Sequence, residues 1–159
     1  MGIISVRMGE IRVAAAPDRL QTVLGSCVGL ALFDRLAGVA GLAHIVLPDA
    51  DKAEPPQPGK FAASALPALI GLLVRSGAAR GRLQAKIAGG AAMFKVRPGS
   101  EALLDIGLRN TLRVKELLKT EGIAVLAERC GGGKGRKVLL DPATGLMTVE
   151  VLGLEKEEL

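Results

Sequence analysis

Three phenylalanines are the only aromatic residues in this chain of 159, which has no tryptophan and no tyrosine. Its core must therefore be built from Leu, Ile, Val and Ala, which fill space only where backbone elements approach closely. The apolar residues come in short runs broken by 21 glycines and 8 prolines, a pattern of strands and turns more than of long helices. Hydrophobic residues make up 49% and charged residues 23%, a globular balance, and one domain spanning 1–159 is expected at this length.

Ile3 to Met8 and Ile11 to Ala15 read as two strands meeting near the amino terminus, bounded by Gly9 and Pro17. The runs CVGLALFD and VAGLAHIVLP follow, separated by Arg35 to Gly38, a connection suited to a hairpin. Pro48 to Lys60, with Pro55-Pro56, predicts a surface loop. Phe61 to Gly77 then places Phe61, Leu66, Leu69, Ile70 and Leu73 at helical spacing.

Leu83 to Ala88 reads as a strand closed by Gly89-Gly90, a pair taken by default as a strand-end turn. A second helix is expected over Ile106 to Glu121, burying Leu108, Leu112, Val114 and Leu118 and exposing Arg109, Arg113 and Glu116. Three more short strands are expected at Ile123 to Ala127, Lys137 to Leu140 and Leu146 to Val151, with the glycine-rich Gly131 to Gly135 as a mobile basic loop. Strands interleaved with two helices argue for an α+β layered fold with mixed or antiparallel sheets, against a doubly wound parallel sheet.

The formal charge of +5 invites a nucleic-acid reading, but the basic residues are scattered and stacking faces are nearly absent. The charge reads instead as a solvated surface suited to an acidic protein partner, and no nucleic-acid binding is expected. The opening MGIISVRMGEIRV is short, alternating and charged, unlike a secretory leader, so a cytoplasmic chain with reduced thiols is expected. Phe61 to Val74 contains Pro67 and falls short of the roughly 20 apolar residues a bilayer crossing needs, so no membrane insertion is expected.

Chemistry near neutral pH narrows to a single histidine, His44, as base. A thiol attacks as thiolate, which a neighbouring imidazole generates, so the partner is Cys27 or Cys130. Cys27 is favoured because Leu24-Gly25-Ser26 before it suits a sharp turn, whose N–H groups at Ser26 and Cys27 would face a developing oxyanion. If Cys27 begins one hairpin strand and His44 lies on the next, the two can meet across the ladder. Against this stand the plain readings of Cys27 as a small buried hydrophobe and of His44 as a satisfied core residue. Cys130 precedes GGGKGRK, which lacks the order of a phosphate loop, and one His with two distant Cys is too few for a metal site, so no cofactor and no metal are expected.

The stretch TVLGSCVG, Thr22 to Gly29, resembles the signature of the CheD family of chemoreceptor glutamine deamidases. The segments Gly41 to Pro48, Gly59 to Ala62, Ala85 to Phe94 and Ile106 to Asn110 resemble further blocks of that family, in the family's order. The resemblance implies a single α+β domain with a β-sandwich-like core flanked by two main helices, similar to cysteine hydrolases of the cytotoxic necrotizing factor type. It implies deamidation of receptor glutamines with Cys27 as nucleophile and His44 as base, Gly25 and Ser26 forming the oxyanion turn. The family's third residue is a threonine shortly before the cysteine, for which Thr22 is the available hydroxyl, with Gln21 next to it. Expected partners are the receptor's cytoplasmic domain and a CheC-type phosphatase. A non-catalytic adaptor that regulates that phosphatase or a receptor is the alternative.

Overall fold

A computed structural model describes residues 1–93 and 105–159. The strands are β1 (Ile3–Ser5), β2 (Ile11–Ala15), β3 (Arg19–Leu24), β4 (Val28–Asp34), β5 (Val39–Ile45), β6 (Gln84–Gly89), β7 (Val125–Cys130), β8 (Arg136–Leu140), β9 (Met147–Val151) and β10 (Lys156–Glu158). Among the described residues there are also two helices, α1 (Ala62–Arg75) and α2 (Ile106–Thr120), and two short 3-10 turns at Pro58–Lys60 and Arg80–Arg82. Phe94 of the glycine-rich block lies outside the described residues.

The strands form two five-stranded sheets, ordered β1-β3-β8-β9-β10 and β2-β5-β4-β6-β7. Both are mixed: β1 with β3 and β6 with β7 run parallel, the other pairs antiparallel. The second sheet is the middle layer. Its central strands β4 and β5 are buried along their whole length, as a strand covered on both faces must be. Period-two alternation divides their side chains: Val28, Leu30, Leu32, Ala43 and Ile45 pack with Leu66, Leu69 and Leu73 of α1 and Val114 and Leu118 of α2. Ala31, Phe33, Ala40 and Leu42 instead meet Leu20 and Leu24 of β3, Val138 and Leu140 of β8, and Met147 and Val149 of β9. The result is an α+β domain of three layers with a sandwich between its sheets.

Several expectations need correction. The first two strands do not pair with each other: β1 joins β3 in the outer sheet, and β2 joins β5 in the middle one. The sequence pattern predicts no strand at β3 or β10, yet both form. Leu108 and Leu112 are exposed, at 46% and 56%. The buried face of α2 is instead Gly107, Asn110, Thr111, Val114 and Leu118, because the helix turns its small and polar residues toward the backbone of the Cys27 turn. The Gly131 to Gly135 segment is not a free loop. Buried Arg136 donates to the carbonyls of Arg129, Gly131 and Lys134, and the Gly132 carbonyl accepts from Ala92 N–H.

Candidate active site

Thr22 and His44 belong to different sheets and meet between them. On β3, Leu20, Thr22 and Leu24 point toward the middle sheet; on β5, Ala40, Leu42 and His44 point back. Both polar residues are buried, at 4% exposure each. Thr22 Oγ1 lies 2.8 Å from His44 Nδ1 and 2.7 Å from the Val6 carbonyl oxygen. A hydroxyl has one proton, and a carbonyl can only accept. Thr22 therefore gives its proton to Val6 and accepts from Nδ1, which places the imidazole proton on Nδ1 and leaves the lone pair on Nε2.

Cys27 lies one residue before β4 and packs in the inter-sheet layer with Leu24, Ala31 and Leu42. His44 is directly opposite Gly29 in the β4–β5 register, so Cys27 is its diagonal neighbour on the same face. Opposite His44 the strand carries glycine, and the space a side chain would take there is filled by Leu24 and Leu42. Burial pushes the Cys27 thiol up from its ordinary value and the His44 imidazole down, the latter partly offset by the Val6 carbonyl. In both residues burial favours the neutral form. An open cavity of about 410 Å³, lined by Val6, Arg7, Met8, Gln21, Val23 and Lys137, reaches Thr22 and His44 from the surface. It falls at the small end of the range typical of ligand pockets.

The Gly25 to Cys27 turn is gripped by the glycine-rich strand end. The Gly25 carbonyl accepts from Ala91 N–H and the Cys27 carbonyl from Gly90 N–H, each at 2.9 Å. Gly89 has φ +104°, and a Cβ there would fall on the Cys27 carbonyl oxygen, so this crossing needs glycine twice over. Gly89-Gly90 is therefore more than a strand-end turn.

Thr22 and His44 are brought into contact. Cys27 shares their inter-sheet layer from the start of the strand paired with β5, with no hydrogen bond to His44 among the described residues, and Gly25 and Ser26 lie in the turn before it. Gln21, the other residue of uncertain register, turns outward and bonds Ser5. Cys130 ends β7 opposite Gly89 and packs toward the helices, on the other face of the middle sheet from Cys27. Sequence reasoning missed the Val6 carbonyl, which no side-chain pattern reveals. It also gave no role to Asn110, although a polar residue on the buried side of an amphipathic helix was a readable signal.

Comparison with known proteins places these residues in context. The family described as "CheD chemotactic sensory transduction" matches residues 46–151. A Methanococcus vannielii protein named "Probable chemoreceptor glutamine deamidase CheD" is 44% identical over 147 residues, covering 92% of this chain and 94% of that one. A Clostridium botulinum protein (strain Hall) of the same name is 42% identical over 158 residues, covering 98% and 97%. Among solved structures, Neisseria meningitidis NMB0706 aligns with 82% of this chain and 62% of its own, at a TM-score of 0.44 and 12% identity. With a family match across most of its length and relatives above 40% identity from end to end, this chain belongs to the CheD family.

Proposed function

We propose that this chain hydrolyses glutamine side-chain amides on chemoreceptors to glutamate, with Cys27 as nucleophile, His44 as base and Thr22 orienting the ring. Nε2 takes the Cys27 proton as sulfur attacks the carboxamide carbon, forming a C–S bond and a tetrahedral oxyanion. His44 returns the proton to the departing nitrogen, the C–N bond breaks and ammonia leaves. Water, deprotonated by the same nitrogen, then cleaves the thioester to glutamate and free thiol.

One observation supports this reading above the others: the hydrogen-bond chain from Val6 through Thr22 fixes the tautomer in which Nε2 can accept a proton. The names of the relatives supply the substrate. Such a substrate supports a cytoplasmic location, with the receptor's cytoplasmic domain as the proposed first partner and a CheC-type phosphatase as the proposed second. No helix among the described residues is long and apolar enough to cross a membrane.

Mass spectrometry of a receptor cytoplasmic fragment incubated with the protein is the test. Conversion of specific glutamines to glutamate is expected, and Cys27→Ala should abolish it. A protein that binds the fragment but leaves every glutamine unchanged would instead be a non-catalytic adaptor. Mixing the purified chain with a CheC-type phosphatase and measuring the mass of the complex by light scattering tests the second partner.

A further inference from the structure

The carbonyls of the nucleophile turn are all engaged, and the middle one is held by a side chain. Between the Gly25 and Cys27 carbonyls, the Ser26 carbonyl accepts from Asn110 Nδ2 at 3.2 Å. The second hydrogen of that same amide goes to the Val46 carbonyl at 2.9 Å, two residues beyond His44. Asn110 thus ties together the two strand ends that carry the candidate pair. Its side chain is wholly buried, and because both neighbours are acceptors, Nδ2 must face them while Oδ1 has no partner among the described residues. Leaving a buried acceptor unpaired is costly, which marks the two donated bonds as the reason for an amide here.

Among the described residues, neither Ser26 N–H nor Cys27 N–H donates a hydrogen bond. A trans peptide points its C=O and N–H in opposite directions. With the Ser26 carbonyl drawn toward α2, the Cys27 N–H of the same peptide points away from α2, to the face on which the Cys27 side chain packs. We propose that Asn110 is a positioning residue that sets the oxyanion site: by fixing the Ser26–Cys27 peptide plane, it aims the Cys27 N–H at the acyl oxygen. This rests on Cys27 being the nucleophile. As sulfur bonds to the acyl carbon, the carbonyl π electrons move to oxygen, and that oxygen accepts from the waiting N–H.

Two reactions of one thiol separate this role from a merely structural one. Acylation of Cys27 by p-nitrophenyl acetate passes through a tetrahedral oxyanion; alkylation by iodoacetamide displaces iodide at a saturated carbon and does not. In Asn110→Asp, nearly isosteric but short of a donor, acylation should slow at least about tenfold, part of the 10²–10³ that outright loss of an oxyanion donor costs. Alkylation, followed by mass spectrometry on the Cys27 peptide, should stay within about twofold, since it forms no oxyanion. Asn110→Ser, which keeps one donor, should fall between. Equal losses in both reactions, or no loss in either, overturn the proposal, as does failure of both variants to fold. Neither reagent contains a receptor glutamine, so a wild-type protein that is acylated at Cys27 but deamidates no receptor refutes the substrate alone. A wild-type protein not acylated at Cys27 refutes the nucleophile.

Discussion

Thr22 has one proton and two neighbours that want it differently placed. Serving Val6 and His44 together is possible only in the arrangement that leaves Nε2 bare, so the hydroxyl acts as a tautomer selector. Thr22→Val keeps the shape and removes both bonds. It should lower kcat by roughly 10- to 100-fold, within the range general acid–base assistance provides. Stability should fall by about 1–3 kcal/mol, since the Val6 carbonyl and Nδ1–H are left unpaired. Thr22→Ser should restore most of both, and nitrogen NMR of the imidazole checks the tautomer directly.

Burial of His44 also makes a pH prediction. Its pKa lies below the ordinary 6.5, so the neutral base, and with it kcat/KM, should persist to more acidic pH than an exposed histidine allows. The stability effect runs the other way. As pH drops below 6.5 the unfolded chain protonates this ring before the folded one does, so the unfolded state binds more protons and stability falls toward the folded pKa. Urea unfolding across that window should show the slope in wild type and its loss in His44→Gln.

At the scale of elements, Asp34 shows how one carboxylate ends a strand and starts three neighbours. From the last position of β4 it accepts from Leu36 and Ala37 N–H in the hairpin turn, from Ala79 N–H beyond α1, and from Arg82. The Arg82 guanidinium above all, with the Ala79 and Ala37 amides, overcomes burial and holds its pKa down to about 2. Asp34→Asn should destabilise by roughly 2–3 kcal/mol, lowering the urea midpoint without changing the m-value. Because the folded pKa is depressed, this contribution is present above pH 3.8 and lost as pH falls through about 2.

Elements also show what the sequence made legible. The β4–β5 hairpin, α1 and α2 could be read because apolar runs, a glycine connection and helix-stop glycines all agreed. β3 could not: RLQTVL mixes polar residues onto both faces, and its buried polar position, Thr22, is there for His44 and not for packing. β10 is all charge and all exposed, so nothing in it signals a strand. On α2, hydrophobicity named the wrong face, because Gly107 and Asn110 are buried for close backbone approach and hydrogen bonding while Leu108 and Leu112 are left outside. Cys27 and His44 stood out as residue types; the tie through Asn110 depends on contacts between segments far apart in the chain.

For the whole molecule, the layer order predicts where opening is hardest. β4 and β5 are covered by helices on one side and the outer sheet on the other, whereas β1 and β10 are short edge strands. Native-state hydrogen exchange should find β4, β5 and β6 amides protected up to global unfolding and those of β1 and β10 exchanging through local opening. Equal protection of β10 and β4 would contradict the layering.

The far end of the sandwich is closed by Lys86, whose Nζ donates to the Gly145 and Leu159 carbonyls and lies 5.3 Å from the centre of the Phe33 ring. The other end is where Thr22 reaches across to His44. Because that 2.8 Å bond joins two separate sheets, the activity proposed for this pair becomes a gauge of the gap between them. Under the proposed function, mild heat, pressure or denaturant that loosens the two leaves should stop turnover while circular dichroism still reports every strand in place.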